Sequence, residues 1–245
     1  MKRSCKELKR MARANLDQKY KVPMKAYVYA ALISALIELP FSLLQTEESF
    51  SPQNIILFIA QILISVVTIV LTCGEYRIHL KIARKEQANI KDLFYPIKNL
   101  PDRYILARLL FLGYLILAAI FLIPAIVSIY INNPILILIS IPLGLISVVL
   151  ILMVSFTFDL VFFFMLDNEN LTVMEAFRIC KQTMKGNKRR YFYITLSFIG
   201  MSFLIILSLG IGVLWVHPYI NQTLTLFYLD ITGQLDNMEE STNMA

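Results

Sequence analysis

From Pro134 to Leu166 the chain carries one charged side chain, Asp159, in an otherwise unbroken apolar run. A soluble domain has no means of covering such a stretch. One straight crossing of a hydrocarbon core roughly 30 Å thick needs about 20 residues, and two crossings with a turn need roughly 40, so the run is too long for the first and too short for the second. Charge separates the two readings. If the run crossed twice, the six Lys and Arg between Arg178 and Arg190 would lie apart from the other basic segments, whereas a single crossing keeps all of them on one side. The sequence therefore predicts one crossing, over 142–165, loosened at its start around Pro142 and Gly144.

The remaining apolar runs fall at 24–44, 55–74, 104–126, 191–209 and 211–229. With 58% hydrophobic and 16% charged residues, the composition is that of a polytopic membrane protein rather than of a soluble domain. The net charge of +6 raises nucleic acid as a partner, but Lys and Arg cluster beside the apolar runs and are almost absent within them. That is the pattern of membrane topology, and no nucleic acid is expected. With six spans and a cytoplasmic N-terminus, every Lys and Arg except Arg108 lies on the cytoplasmic side.

Residues 1–23 form a basic leader. Ser4 and Glu7 make a capping-box pattern, after which Leu8, Met11, Ala12 and Leu16 recur at helical spacing opposite Lys6, Lys9, Arg10 and Arg13. A basic amphipathic helix of this kind is expected either to lie on an anionic leaflet or to stand as a solvated leader helix. The long basic region and the lack of a small-residue cleavage site argue for a retained first span rather than a signal peptide. Ala26, Ala30 and Ser34 share one face of that span and suit close packing.

Gln45 to Gln53 holds acids and no bases, as an outer loop should. In span two, Gln61, Ser65, Thr68 and Thr72 fall on a single helical stripe, expected to face protein. The segment from Glu75 to Arg103 then carries seven Lys and Arg; its Ile90, Leu93, Phe94 and Ile97 trace an apolar face predicted to rest on the membrane. Span three runs past the length it needs, and Pro124 is the expected break.

After span four, Thr172 and Glu175 predict a second capping box. Val173, Met174, Phe177, Cys180 and Met184 form one face of the helix that follows, with Arg178, Lys181 and Lys185 on the other. Gly186 is placed to end that helix in a left-handed cap, before the basic knot of Lys188, Arg189 and Arg190. Lys185, Lys188, Arg189 and Arg190 join Lys6, Lys9, Arg10 and Arg13 as expected contacts to anionic headgroups. Gly210-Ile211-Gly212 divides the last apolar region, and 230–245 is an acidic tail.

The motifs of the last third, Ala176-Phe177, Met184-Lys185-Gly186-Asn187-Lys188, Leu196-Ser197-Phe198-Ile199-Gly200, Gly210-Ile211-Gly212, Trp215, Pro218-Tyr219 and Phe227-Tyr228, resemble a bacterial integral membrane family catalogued as domain of unknown function 975. Met201 departs from the Trp that pattern carries, and Asp17-Gln18-Lys19-Tyr20 lacks its Gly-Asn. The resemblance implies six spans in a bacterial cell membrane and attaches no reaction to them.

Catalytic patterns are absent from the sequence. His79 and His217 have no Cys or carboxylate at metal-ligand spacing, Gly210-x-Gly212 is not followed by the Lys-Ser/Thr of a phosphate loop, and no serine sits in a Gly-x-Ser-x-Gly elbow. The expectation is a non-enzymatic protein with no cofactor and no metal. Cys5, Cys73 and Cys180 all fall near the cytoplasmic side, so no disulfide is expected. Ionisable residues at membrane depth are costly and call for partners. By depth, Arg108 pairs with Asp159, and Glu38 with His217. Two roles stay open on these residues: a lipid-interacting membrane component or scaffold, and a small transporter using Glu38, Asp159 and His217.

Overall fold

The computed structural model describes residues 2–44, 51–131 and 133–243. Most of the expected outer loop at 45–53, and Asn132 of the turn before Pro134, lie outside the described residues.

The regular structure among the described residues is helical throughout. Helix α1 (Cys5–Leu16) starts at Ser4, whose hydroxyl accepts the Glu7 amide at 3.3 Å, satisfying a donor that the helix start leaves open. It leads into α2 (Lys21–Leu43) and α3 (Pro52–Ala83). At about 1.5 Å per residue, α3 is roughly 48 Å long, well beyond a hydrocarbon core. The sequence predicts that span two ends near residue 74, yet the helix continues through Glu75, Arg77 and His79. The onset of charge marks where apolar surroundings end rather than where the helix ends: Ile78, Leu80, Ile82 and Ala83 are all buried against protein.

A 3-10 turn at Ile90–Phe94 and the short α4 (Tyr95–Lys98) then fold back onto α3. Leu93 is fully buried, and its carbonyl oxygen would lie 1.9 Å from a β-carbon built on Gly74. The face predicted to rest on the membrane is therefore spent largely on α3, because only glycine lets the two backbones approach this closely.

Helix α5 (Pro101–Ala119) gives way to a 3-10 turn at Ile120–Leu122 and then to α6 (Ile123–Ile131). The break precedes Pro124 by one turn, where the proline leaves the carbonyl of Ile120 without its helical donor. Helices α7 (Pro134–Phe158) and α8 (Val161–Asp167) form one crossing-length unit. It stays helical through Pro142 and Gly144 and breaks instead at Asp159-Leu160.

Helix α9 (Val173–Met184) has the full reciprocal capping box between Thr172 and Glu175, and Gly186 follows it at φ +84°. Helices α10 (Lys188–Leu196) and α11 (Ile199–Leu207) lead to a turn with Leu209 and Gly210 at positive φ. Helices α12 (Val213–Ile231) and α13 (Gln234–Asn243) complete the fold.

Among the described residues, five helical stretches are long and apolar enough to cross a membrane: Lys21–Phe41, Pro52–Ala83, Pro101–Ser128, Pro134–Asp167 and Lys188–Leu207. Helix α12 is not one of them. It carries His217, Asn221 and Gln222 and is buried along most of its length.

Burial divides the molecule into two ends. At the basic end, Phe158 to Leu166, the inner face of α9 and Leu226 to Leu229 build one continuous core. At the other end Leu36, Leu43, Ile56, Phe58, Leu138 and Leu207 are all exposed, a breadth of apolar surface that water does not tolerate and lipid tails do.

Helix α1 lies antiparallel to α12, with Arg3 at Asp230 and Arg13 over the ring of Tyr219. Leu8, Ala12 and Leu16 are fully buried, and each leucine contributes on the order of 2 kcal/mol. The apolar face that the sequence predicts for a lipid surface is thus covered by protein. Helix α9 does the same against α7 and α8, burying Val173, Phe177, Cys180 and Met184 and leaving only Met174 of its predicted face exposed.

Candidate functional site

The polar residues at membrane depth gather around α3. Its stripe of Ser65, Thr68 and Thr72 continues at helical spacing to Tyr76, and these four side chains line a cavity of about 260 Å³ between α3, α5 and the α7–α8 break. Arg108 of α5 and Asp159 complete the lining. Hydroxyls of Ser65 and Thr68 donate to the carbonyls of Ile62 and Ser65, which leaves their oxygen lone pairs free to accept from the cavity.

Arg108 and Asp159 are thus brought to one space, but they do not close an ion pair. Asp159 accepts from the hydroxyl of Tyr191, while Arg108 lies over the ring of Phe111 and its Nε has no hydrogen-bond partner. The cavity therefore presents a guanidinium, a carboxylate and several hydroxyls side by side. A small polar solute or a few waters fit such a lining; an extended apolar ligand does not.

The edge of this stripe faces α2 and α12. There His217 Nδ1 lies 3.6 Å from the Glu75 carboxylate, and the ring of Tyr27 packs on the imidazole with centroids 4.2 Å apart. One turn toward the basic end, His79 Nδ1 meets Gln222 Oε1 at 2.8 Å, with both residues buried. Glu38, expected beside His217, is exposed. It sits eleven residues beyond Tyr27 on α2, about 16 Å further along the axis, and so cannot reach the imidazole. The carboxylate that His217 meets is Glu75, which the sequence reading assigns to a basic loop. Continuing the stripe of span two in steps of three and four from Thr72 leads to Glu75, Tyr76 and His79, and this signal points inward.

Several of the eight basic residues expected at lipid headgroups are engaged with protein. Arg190 is held by Asp230 at 2.6 Å and by the Arg3 carbonyl at 2.5 Å. Lys9 donates to the Ser197 carbonyl at 3.0 Å and sits 3.9 Å above the ring of Phe198, where burial lowers its pKa. Arg13 lies over Tyr219 and Arg189 over Tyr193. Lys6, Arg10 and Lys185 are exposed, with no ion pair to any described residue, and Lys188 borders a groove beside α9.

A ring of ionic contacts ties the basic end together. Asp230, whose side chain is 1% exposed, meets Arg3 at 3.2 Å, so the first and last helical layers share one carboxylate. Asp167 accepts from Arg84, from Tyr228 at 2.8 Å and from Gln234 at 2.5 Å. Lys81 meets Asp92 at 2.6 Å. No short-range sequence pattern points to the contacts of Asp230 and Asp167, since each joins segments far apart in the chain.

No curated protein and no solved structure matches the chain. A family described as a protein of unknown function, DUF975, matches residues 1–235, which takes in the leader helix, the apolar helices, both polar clusters and the first residues of α13. By that match the chain belongs to the DUF975 family.

Proposed function

We propose that the protein is a multi-pass component of the bacterial cell membrane, with six spans and both termini in the cytoplasm, and that it acts without a catalytic centre by engaging membrane lipid. The sixth span is α12, which crosses inside the bundle rather than against lipid. One observation carries the reading: the exposed cations Lys6, Arg10 and Lys185 lie at the basic end, from which the candidate spans lead to the wide apolar surface at the other end. The apolar faces of α1 and α9 are already occupied, so lipid is engaged by these side chains from a folded frame rather than by a loose surface helix.

The test is to purify the full chain in mild detergent and compare its retained lipid with the bulk membrane by mass spectrometry. Several-fold enrichment of anionic lipid is expected; retained lipid matching the bulk composition overturns the reading. Orientation is checked with single cysteines placed at Leu44 and Lys185 and a membrane-impermeant thiol reagent, which in intact cells labels the first and spares the second.

A second reading, a small transporter, is favoured by the cavity holding Arg108 and Asp159 unpaired. It requires flux of a small polar or charged solute in proteoliposomes that Asp159→Asn abolishes. Equal flux in vesicles with and without the protein removes it.

A further inference from the structure

Beside α9 a groove of about 470 Å³ opens between α5, α7 and α9. Its floor is aromatic: Tyr114, Phe158 and Phe177 stack on one another with centroids 5.0 to 5.9 Å apart. Leu150, Met153 and Val154 of α7 form one apolar wall. Arg178 and Lys181 of α9 and Lys188 of α10 also line it, and none of the three makes an ion pair or hydrogen bond to a described residue. Glu175 is the carboxylate that influences Arg178, and its Oε2 also accepts from the Thr172 amide and hydroxyl at 2.9 and 2.7 Å.

We propose that this groove binds one anionic glycerophospholipid, its phosphodiester held by Arg178, Lys181 and Lys188 and the upper part of one acyl chain laid along the aromatic floor. This rests on the lipid-engaging reading above and gives it a site. Three features select the occupant. The three cations have only Glu175, beside Arg178, as a nearby carboxylate, and the surplus of positive charge calls for an anion. The wall of α7 runs without interruption into its exposed surface at Leu145, Val149 and Leu152, so the groove opens sideways onto a face suited to lipid and not only toward water. At roughly 30 Å³ for each water-sized group, the volume holds on the order of fifteen groups, enough for a phosphoglycerol head and the start of a chain, with the rest of the lipid left in the bilayer. A larger groove of about 580 Å³ beside α1 is a poorer candidate for an anion, because its lining holds a single cation, Arg13, together with the carboxylate of Asp17.

The experiment uses the full chain in detergent, with phosphatidylglycerol and phosphatidylcholine of equal chain length titrated in and bound lipid counted by native mass spectrometry. Phosphatidylglycerol is expected to bind tighter. The combined variant Arg178→Gln, Lys181→Gln, Lys188→Gln is expected to lose about fivefold in affinity per charge, on the order of a hundredfold in all. A second variant, Met153→Trp, keeps the charges and fills the apolar wall; it is expected to weaken both lipids. The control Lys91→Gln, Lys98→Gln removes two exposed cations of the turn at Ile90–Phe94 and of α4 and is expected to leave binding nearly unchanged.

If the wild type binds anionic lipid tightly but the groove variants bind it equally well, the groove assignment falls while the lipid-engaging reading stands. If the wild type shows no preference for anionic lipid, both fall. Glycerol phosphate competing as well as the intact lipid overturns the proposal in favour of a soluble anion site.

Discussion

Gly74 is the position where one added methyl group tests the packing of the basic end most directly. A β-carbon there would lie 1.9 Å from the Leu93 oxygen, 2.6 Å from its carbonyl carbon and 2.7 Å from its α-carbon, all of them backbone atoms with no rotamer to yield. Ordinary contact begins near 3.4 Å, so the turn at Ile90–Phe94 must retreat by about 1.5 Å (3.4 minus 1.9). Overpacking of this kind costs about 1–3 kcal/mol, and loosening the fully buried Leu93 forfeits up to about 1.5–3 kcal/mol more. The better helix propensity of alanine returns about 1 kcal/mol. Gly74→Ala is therefore expected to destabilise by about 2–5 kcal/mol. At roughly 2–4 °C per kcal/mol for a chain of this size, the midpoint falls by on the order of 10 °C. Gly113→Ala and Gly144→Ala are the matched controls, since nothing lies within 4 Å of a β-carbon at either helical position. They are expected to be neutral or to stabilise by up to about 1 kcal/mol. Thermal unfolding of the three variants in one detergent decides the matter. A Gly74→Ala midpoint equal to those of the two controls refutes the close approach of α3 and the turn.

Asp230→Asn removes the buried carboxylate that meets both Arg3 and Arg190, and it is expected to cost about 3 kcal/mol because Arg190 loses its carboxylate while Arg3 keeps Asp236 at 2.8 Å. Hydrogen exchange is expected to rise first along α1, and unchanged protection there counts against the pairing. Thr172→Ala removes the α9 N-cap and is expected to cost about 1 kcal/mol, read from thermal unfolding. The hydrogen bonds from Thr172 hold Glu175 below its ordinary carboxyl range, so its contribution is present above the ordinary value of 4.5 and is lost as pH falls through the depressed folded value. The midpoints of wild type and Glu175→Gln are accordingly expected to differ near neutral pH and to converge in acid; a gap that persists at low pH contradicts this assignment.

Local chemistry made the helices legible and left their neighbours hidden. Ser4, Thr172 and Gly186 act within a few residues of themselves, so the two amphipathic helices and the cap that follows α9 can be read from spacing alone. The single crossing after Pro134 is equally legible, because it follows from which side the bases occupy. What amphipathicity cannot say is whether an apolar face meets lipid or another helix, since either one removes Leu8, Ala12 and Leu16 from water. Here α12 supplies the cover. It is available because His217, Asn221 and Gln222 make it a poor partner for lipid and draw it inside the bundle.

The same distinction governs the buried polar residues. Depth along the membrane normal follows from counting residues at 1.5 Å each, and on that measure Glu38 and His217 are plausible neighbours. Azimuth does not follow from counting, and the counted depth rests on assuming that every apolar run enters the membrane at the same level. Helix α2 enters late, after α1 has already run alongside α12, so its Tyr27, not its Glu38, stands level with His217. The side chain that can be placed by periodicity is the one on a continuous stripe. Ser65, Thr68, Thr72 and Tyr76 keep one heading for three turns, and they meet Arg108 and Asp159 across a single cavity. Glu75 and His79 continue the edge of the same stripe that turns toward α12. Helix α3 is thus the common wall of both polar clusters, and a shift of α12 against α3 alters the surroundings of Glu75 and Tyr76 together.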